Sequence, residues 1–182
     1  MNKITVESKK DLLLYSLRKF YNEEKNLKIL KPIISGKSNI SLRVLDWFVT
    51  NYSKKFGTSY RNEENKKKNF IVYIDYKSQL KAYSKKQFDP FCRRERIIFK
   101  DNKNNEIITT VGQLNFFRWA IMNNIVDYIK INLEEIENDM IFSLKDIYKK
   151  EKGSKRRKRK ELSISAVKTV KKHNVSIIVN FD

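Results

Sequence analysis

Lys77, Lys81 and Lys85 stand at i, i+4 and i+8, and Arg93, Arg94 and Arg96 follow within a dozen residues. On a helix that lysine spacing stacks three like charges on one stripe, which costs stability unless an anion faces them. The arginines add planar forks suited to phosphate oxygens. Tyr76, Tyr83, Phe88 and Phe91 are interleaved, and Tyr76 and Tyr83 are candidates for base stacking. The competing reading is a solvated lysine face with its aromatics in the core. A second cluster, Lys155, Arg156, Arg157, Lys158, Arg159 and Lys160, has no acidic interruption and must be exposed. It has the size of a phosphate-contacting arm or of a nuclear-import signal, two compatible roles, with a plain solvated linker as the third reading.

Other chemistry is poorly supplied. His173 and Cys92 are the single histidine and cysteine, in segments with no reason to meet, so neither a Cys-His catalytic pair nor a metal site built on these residue types is expected. Ser35-Gly36-Lys37-Ser38 ends like a phosphate-binding loop, yet Lys31 stands where that motif requires glycine, and a helix-capping turn is the better reading. Glu134, Glu135, Glu137 and Asp139 read as the solvated end of a helix rather than a metal cluster. A carboxylate-only metal nuclease would have to use Asp75, Asp89 and Glu95. The chain is expected to be no enzyme and to need no cofactor or metal. Signatures of known nucleic-acid folds are missing: no aromatic RNP motif, G-x-x-G loop, zinc-finger spacing or heptad zipper.

Charge sets the context. Lys+Arg 40 against Asp+Glu 21 leaves +19 on 182 residues. By segment the net charge is +7 over 1–60, +7 over 61–103, −2 over 104–150 and +7 over 151–182. Basic segments around one apolar, slightly acidic segment describe a core wrapped in polyanion-binding surface. Heavy use of Lys, Asn and Ile suits an AT-rich genome, which accounts for part of the excess. With 40% hydrophobic residues, Phe 11, Tyr 9 and Trp 2, the chain is too apolar to be a disordered basic tail. The start, Met1 to Lys10, lacks the apolar core of a signal peptide, and no stretch approaches the roughly 20 apolar residues of a membrane span. One cysteine permits no internal disulfide, so an intracellular, reducing setting is expected.

The elements that must position these residues follow from periodicity. Ser8 caps a helix carrying Leu13, Leu14, Leu17, Phe20 and Tyr21. An ambiguous stretch holds Ile29, Leu30 and Pro32. Ser38 or Asn39 caps a second helix, with Leu42, Leu45, Phe48, Val49, Tyr52 and Phe56 on one face and Gly57 as its C′ residue. Tyr60 to Asn69 reads as a surface loop, Phe70 to Ile74 as a buried strand, and Tyr76 to about Lys86 as a helix stopped by Asp89-Pro90. Arg96 to Lys100 and Glu106 to Thr110 form a hairpin. Thr110 and Gln113 make a capping box for one long helix with Leu114, Phe117, Ile121, Ile125, Tyr128 and Ile136 on one side. Beyond it, Ser163 to Lys172 suggests a short helix and Val175 to Phe181 alternates like a strand.

The segments Tyr76-Lys77-Ser78-Gln79-Leu80-Lys81 through Phe88-Asp89-Pro90-Phe91-Cys92-Arg93-Arg94-Glu95-Arg96-Ile97, and Thr109-Thr110-Val111-Gly112-Gln113-Leu114-Asn115-Phe116-Phe117-Arg118-Trp119-Ala120, resemble a poorly characterised family of nucleocytoplasmic large DNA viruses, the giant viruses. The ending, Leu162-Ser163 to Phe181-Asp182, is similar as well, so the resemblance spans 70–182. It implies a virus-encoded protein of the virion or the viral factory and carries over no catalytic residues.

The expected fold is α+β: a globular domain over 1–148 with a central apolar helix against a small, mainly antiparallel sheet, a basic exposed linker over 149–161, and a short helix and strand over 162–182 returning to the domain. The expected function is non-enzymatic, largely sequence-independent nucleic-acid binding, DNA before RNA, with the host nucleus an open location. The alternative is a scaffolding protein whose basic surface meets acidic viral or host proteins, with homodimerisation through the long helix left open.

Overall fold

The computed structural model describes residues 8–62, 67–101 and 105–153. The chain divides into two units, 1–143 and 144–182. Only 144–153 of the second are described, as the end of a helix. The expected tail helix and strand and the Lys155–Lys160 cluster lie outside the described residues.

Helix α1 (Lys9–Tyr21) begins at the expected cap, where the Ser8 hydroxyl accepts from the Asp11 N–H at 3.2 Å, and Leu13, Leu17 and Tyr21 face inward. The ambiguous stretch is helix α2 (Glu24–Ile34), burying Leu27, Leu30 and Ile33. Pro32 sits in its last turn, and its carbonyl accepts from the N–H groups of Lys37 and Ser38 at 2.8 and 3.0 Å. Gly36 takes φ +71° to close that turn, so Ser35–Ser38 ends a helix.

Helix α3 (Leu42–Trp47) is capped by Ser41, whose hydroxyl accepts from the Val44 N–H at 3.2 Å, not by Ser38 or Asn39; Ser38 turns its hydroxyl to the N–H of Ile40. A π-helical turn over Phe48–Tyr52 then interrupts the expected continuous helix before α4 (Ser53–Phe56), which Gly57 ends at φ +60°. Thr50 donates to the Asp46 carbonyl at 2.6 Å and Ser53 to the Val49 carbonyl at 3.1 Å; such side-chain bonds to the helix's own carbonyls compete with its regular ladder.

Residues expected as a loop form an antiparallel hairpin, β1 (Ser59–Asn62) with β2 (Lys67–Ile71), pairing Ser59 with Ile71 and Tyr60 with Phe70. Polar composition concealed it, because its anchorage comes from a few aromatic contacts, Tyr60 with Phe70 at 5.4 Å and with Tyr128 at 5.2 Å and Phe70 with Trp119 at 6.4 Å, and from a 2.6 Å bond from the Tyr60 hydroxyl to the Asn123 carbonyl. The expected strand Phe70–Ile74 is likewise corrected: α5 (Val72–Gln87) starts at Val72. A strand would have placed Phe70, Val72 and Ile74 together, but Val72 and Tyr76 are buried while Ile74 is 59% exposed, as the helical period requires. Near its end α5 is kinked at Ser84, with φ 57° and ψ 168°.

The second hairpin stands as expected: β3 (Ile97–Lys100) pairs with β4 (Glu106–Thr109), Ile98 opposite Ile108 and Phe99 opposite Ile107. The two hairpins are separate two-stranded sheets rather than one sheet. The expected long helix is three: α6 (Val111–Met122), α7 (Ile125–Ile131) and α8 (Leu133–Gly153). Asparagines make the breaks. Asn124 adopts φ 55°, and the amides of Asn123 and Asn132 donate to the Trp119 and Tyr128 carbonyls at 2.8 and 2.9 Å, taking up helix-end acceptors. Helix α8 runs on through 149–153, where the linker was expected to begin.

The described fold is therefore α+β, with α6 at its centre. Leu114, Phe116, Phe117 and Ala120 are wholly buried, and α1, α2, α5 and α7 pack on it. The Tyr21 hydroxyl donates to the Leu114 carbonyl at 2.8 Å inside the core, and burial pushes that phenol's pKa up.

Candidate nucleic-acid interface

The six predicted cations fall into three neighbourhoods. Lys77 and Lys81 are exposed on α5 and line an open groove of about 560 Å³ with Tyr73, Ile74, Ser78 and Leu80. Tyr73, Lys77 and Lys81 are themselves at i, i+4 and i+8, so the stripe begins with an aromatic residue one turn earlier than the sequence reading placed it. From α4, the Lys54 ammonium lies 5.7 Å from the centre of the Tyr73 ring, a cation–π contact. Lys54 thus contacts the half-buried Tyr73 ring while Lys77 and Lys81 line the groove beside it, and among the described residues none of the three lysines has an acidic partner within 4 Å.

Lys85 does not extend this stripe, because the non-helical backbone at Ser84 breaks the i+8 phase. It lies instead within electrostatic reach of Asp46, as does Arg93. The Arg93 fork is bidentate on Asp89, Nε to Oδ2 at 3.1 Å and Nη2 to Oδ1 at 3.0 Å, and stacks 4.6 Å over the Phe91 ring. Its charge is largely satisfied within the fold. Arg94 belongs to a third neighbourhood, a cavity of about 280 Å³ that also involves Lys86 and Lys10. Lys10 is bonded to Glu95 at 2.5 Å, whereas Arg94, Lys86 and the exposed Arg96 have no acidic partner among the described residues.

Tyr76 is a correction. It is 7% exposed, with its ring 5.9 Å from those of both Phe88 and Trp119, so it builds the core and offers no face to a base. Tyr83 is half-buried, parallel to Phe88 at 6.4 Å. Tyr73 was missed because its run resembled a strand, and Lys54 because it comes from a different helix, α4. The spacing Tyr73, Lys77, Lys81 was the available signal.

Close packing holds this region. Gly112 opens α6 where an added Cβ would stand 3.1 Å from the Lys86 carbonyl oxygen, so a larger residue would push α5 and α6 apart. The Thr110 hydroxyl accepts from the Gln113 N–H at 3.1 Å, as a capping box requires. The Gln113 side chain does not complete the box: its amide donates to the Pro90 carbonyl at 2.8 Å and its oxygen accepts from the Thr109 hydroxyl at 2.8 Å. One buried glutamine thereby pins the turn that precedes Arg93 and Arg94.

The acidic residues act singly. Asp75 accepts from the Trp119 indole at 2.7 Å, Asp89 holds Arg93, and Glu95 holds Lys10. Among the described residues no three of His, Cys, Asp and Glu gather as metal ligands. The supposedly solvated set on α8 is in part structural: Glu135 accepts from the Tyr52 hydroxyl at 2.5 Å, and Asp139 accepts from the Trp47 indole at 3.0 Å and from Lys55.

Asp46 carries a pH-dependent prediction. Burial, then the neighbouring Asp89 charge, raises its pKa above 3.8, with Arg93 and Lys85 opposing, and Tyr76 is close enough for its own pKa to be raised by Asp46. A carboxylate with a raised folded pKa binds its proton more tightly when folded, so its ionisation near neutrality destabilises the fold. Asp46→Asn will raise the melting temperature at pH 7, and the gain will shrink as pH falls through the raised pKa towards 3.8. Thermal melts across that range check this; a constant or growing gain at low pH contradicts it.

The structure thus defines an α+β protein whose exposed lysine groove has no acidic partner among the described residues. The chain belongs to a family of unknown function, DUF7197, which matches residues 2–182. It is 45% identical over 145 residues to the uncharacterized protein L507 of Acanthamoeba polyphaga mimivirus, an alignment covering 76% of this chain and 54% of the viral protein. The chain therefore spans about half the length of that curated relative, whose viral origin agrees with the resemblance drawn from the sequence. No solved structure matches it. Among the described residues, no helix is long and apolar enough to cross a membrane.

Proposed function

We propose that this protein binds nucleic acid without enzymatic action and largely without regard to sequence, DNA before RNA. The observation that carries the reading is the groove lined by Tyr73, Lys77 and Lys81, with Lys54 on the Tyr73 ring and none of the three lysines having an acidic partner among the described residues. Cations held together without counter-ions repel one another, and a phosphate backbone removes that repulsion. Tyr73 adds an aromatic surface at the same place. Arg94, Arg96 and Lys86 extend the basic surface towards the other end of α5, while Arg93 and Lys85 contribute less because Asp89 and Asp46 offset them. Lys155–Lys160 serve as an arm or an import signal. The mimivirus relative supports a virus-encoded protein; a role in genome packaging, the virion or the replication and transcription factory is part of the proposal.

A second reading, a scaffold for acidic proteins, is favoured by Ile74, 59% exposed within the lysine groove, where an amphipathic acidic helix would find an apolar contact. Competition separates the two. With a labelled duplex bound, unlabelled duplex is expected to displace it at far lower charge concentration than polyglutamate does. Equal displacement by polyglutamate would favour the scaffold.

A further inference from the structure

A cleft of about 630 Å³ lies between α1, α5 and α6, with none of its lining residues shared with the lysine groove. We propose that this cleft binds a phosphorylated nucleoside: a phosphate on Arg118 and Lys19, and a flat heteroaromatic ring against the adjoining apolar wall. The proposal does not rest on the duplex-binding reading.

Arg118 is the anchor. It is half-buried, and its guanidinium is oriented by two neutral acceptors, Nη1 donating to the Ser16 hydroxyl at 2.8 Å and Nη2 to the Asn115 side-chain oxygen at 2.7 Å. Asn115 is fixed in turn, being 1% exposed and donating to the Gln87 carbonyl at 2.9 Å. Among the described residues Arg118 has no carboxylate within ion-pair distance, and neither has Lys19 on α1. A partly desolvated guanidinium held in one orientation by neutral groups is arranged for an anion from outside the fold.

The remainder of the cleft selects what that anion is attached to. Phe20, Trp119 and Met122 supply an apolar wall. Asp75, which accepts from the Trp119 indole at 2.7 Å, lines the cleft together with Gln79, and both side chains carry oxygens of the kind that ring N–H groups donate to. Glu23, paired with Lys25 at 3.1 Å, adds negative charge to the lining, which disfavours a string of phosphates and suits one. The volume is within the range of about 300–1,000 Å³ usual for small-molecule sites, and a bare phosphate would leave most of it empty. One phosphate with one aromatic ring bearing donors is the chemistry of a nucleotide, either free or at the 5′ end of a strand.

Titration calorimetry on the full chain tests this with six probes: guanosine and adenosine monophosphates, guanosine, inorganic phosphate, and a 5′-phosphorylated oligonucleotide beside its unphosphorylated twin. A monophosphate binding at least tenfold more tightly than guanosine and than phosphate supports a free nucleotide. Preference for the phosphorylated oligonucleotide alone supports a strand end. Absence of both at millimolar concentration overturns the proposal. Arg118→Gln is expected to weaken binding at least tenfold. Because that change also touches Ser16 and Asn115, Lys19→Gln serves as the variant expected to fold normally, and it should weaken monophosphate binding severalfold while leaving nucleoside binding unchanged. Unaltered monophosphate affinity in both variants would overturn the site.

Discussion

Replacing Phe88 with alanine is expected to lower the unfolding free energy by about 3–5 kcal/mol, the usual cost of truncating a fully buried phenylalanine. Phe88 is 1% exposed, and its ring meets those of Tyr76, Tyr83, Phe116 and Trp119 with centres 5.3–6.4 Å apart. These partners come from α5 and α6, so the cavity left behind would be walled by two helices already fixed by other contacts. Gly112 holds their backbones close, and Gln113 clamps Pro90 two residues along. A site that cannot collapse keeps its cavity, which places the effect at the upper part of the range. Denaturant titration reads it directly. A loss under about 1 kcal/mol would mean that the packing of α5 on α6 is not as described.

Reversing Lys77 and Lys81 to glutamate is expected to weaken duplex DNA binding by on the order of tenfold per substitution at low salt, with the melting temperature nearly unchanged. Each change replaces an attraction of about 1 kcal/mol with a comparable repulsion, which salt then screens. Both side chains are exposed and have no acidic partner within 4 Å among the described residues, so folding has little to lose. Arg93→Glu should behave differently. It removes a bidentate pair and leaves two carboxylates beside a third, Asp46, so its first effect is on stability. Loss of DNA affinity from Arg93→Glu but not from the lysine pair would place the interface on the wrong side of the Ser84 kink.

Much of the fold was legible because short-range rules dominate it. Ser8 and Thr110 cap their helices, Gly57 ends one, and the hairpin from Ile97 to Thr109 has the expected pairing. The apolar stretch from Val111 was rightly read as central. Periodicity failed where a single residue altered the backbone phase without altering the hydrophobic count. Asn124 and Asn132 divide one apolar run into three helices, and Ser84 removes Lys85 from the stripe. The β1–β2 hairpin was hidden because its pairing depends on backbone bonds and on Tyr60 reaching Asn123, a partner 63 positions away. Within the candidate site the lysine spacing held for Lys77 and Lys81. Pairing between Arg93 and Asp89, and the burial of Tyr76, are tertiary facts that composition does not encode.

The salt dependence of duplex binding tests the central claim most directly. With about six phosphates neutralised, log K plotted against log[salt] should fall with a slope of roughly −5, and Lys77→Glu with Lys81→Glu should make it shallower by about two. A slope near zero, or one of normal steepness that the lysine substitutions leave untouched, would contradict phosphate binding at the Tyr73 groove.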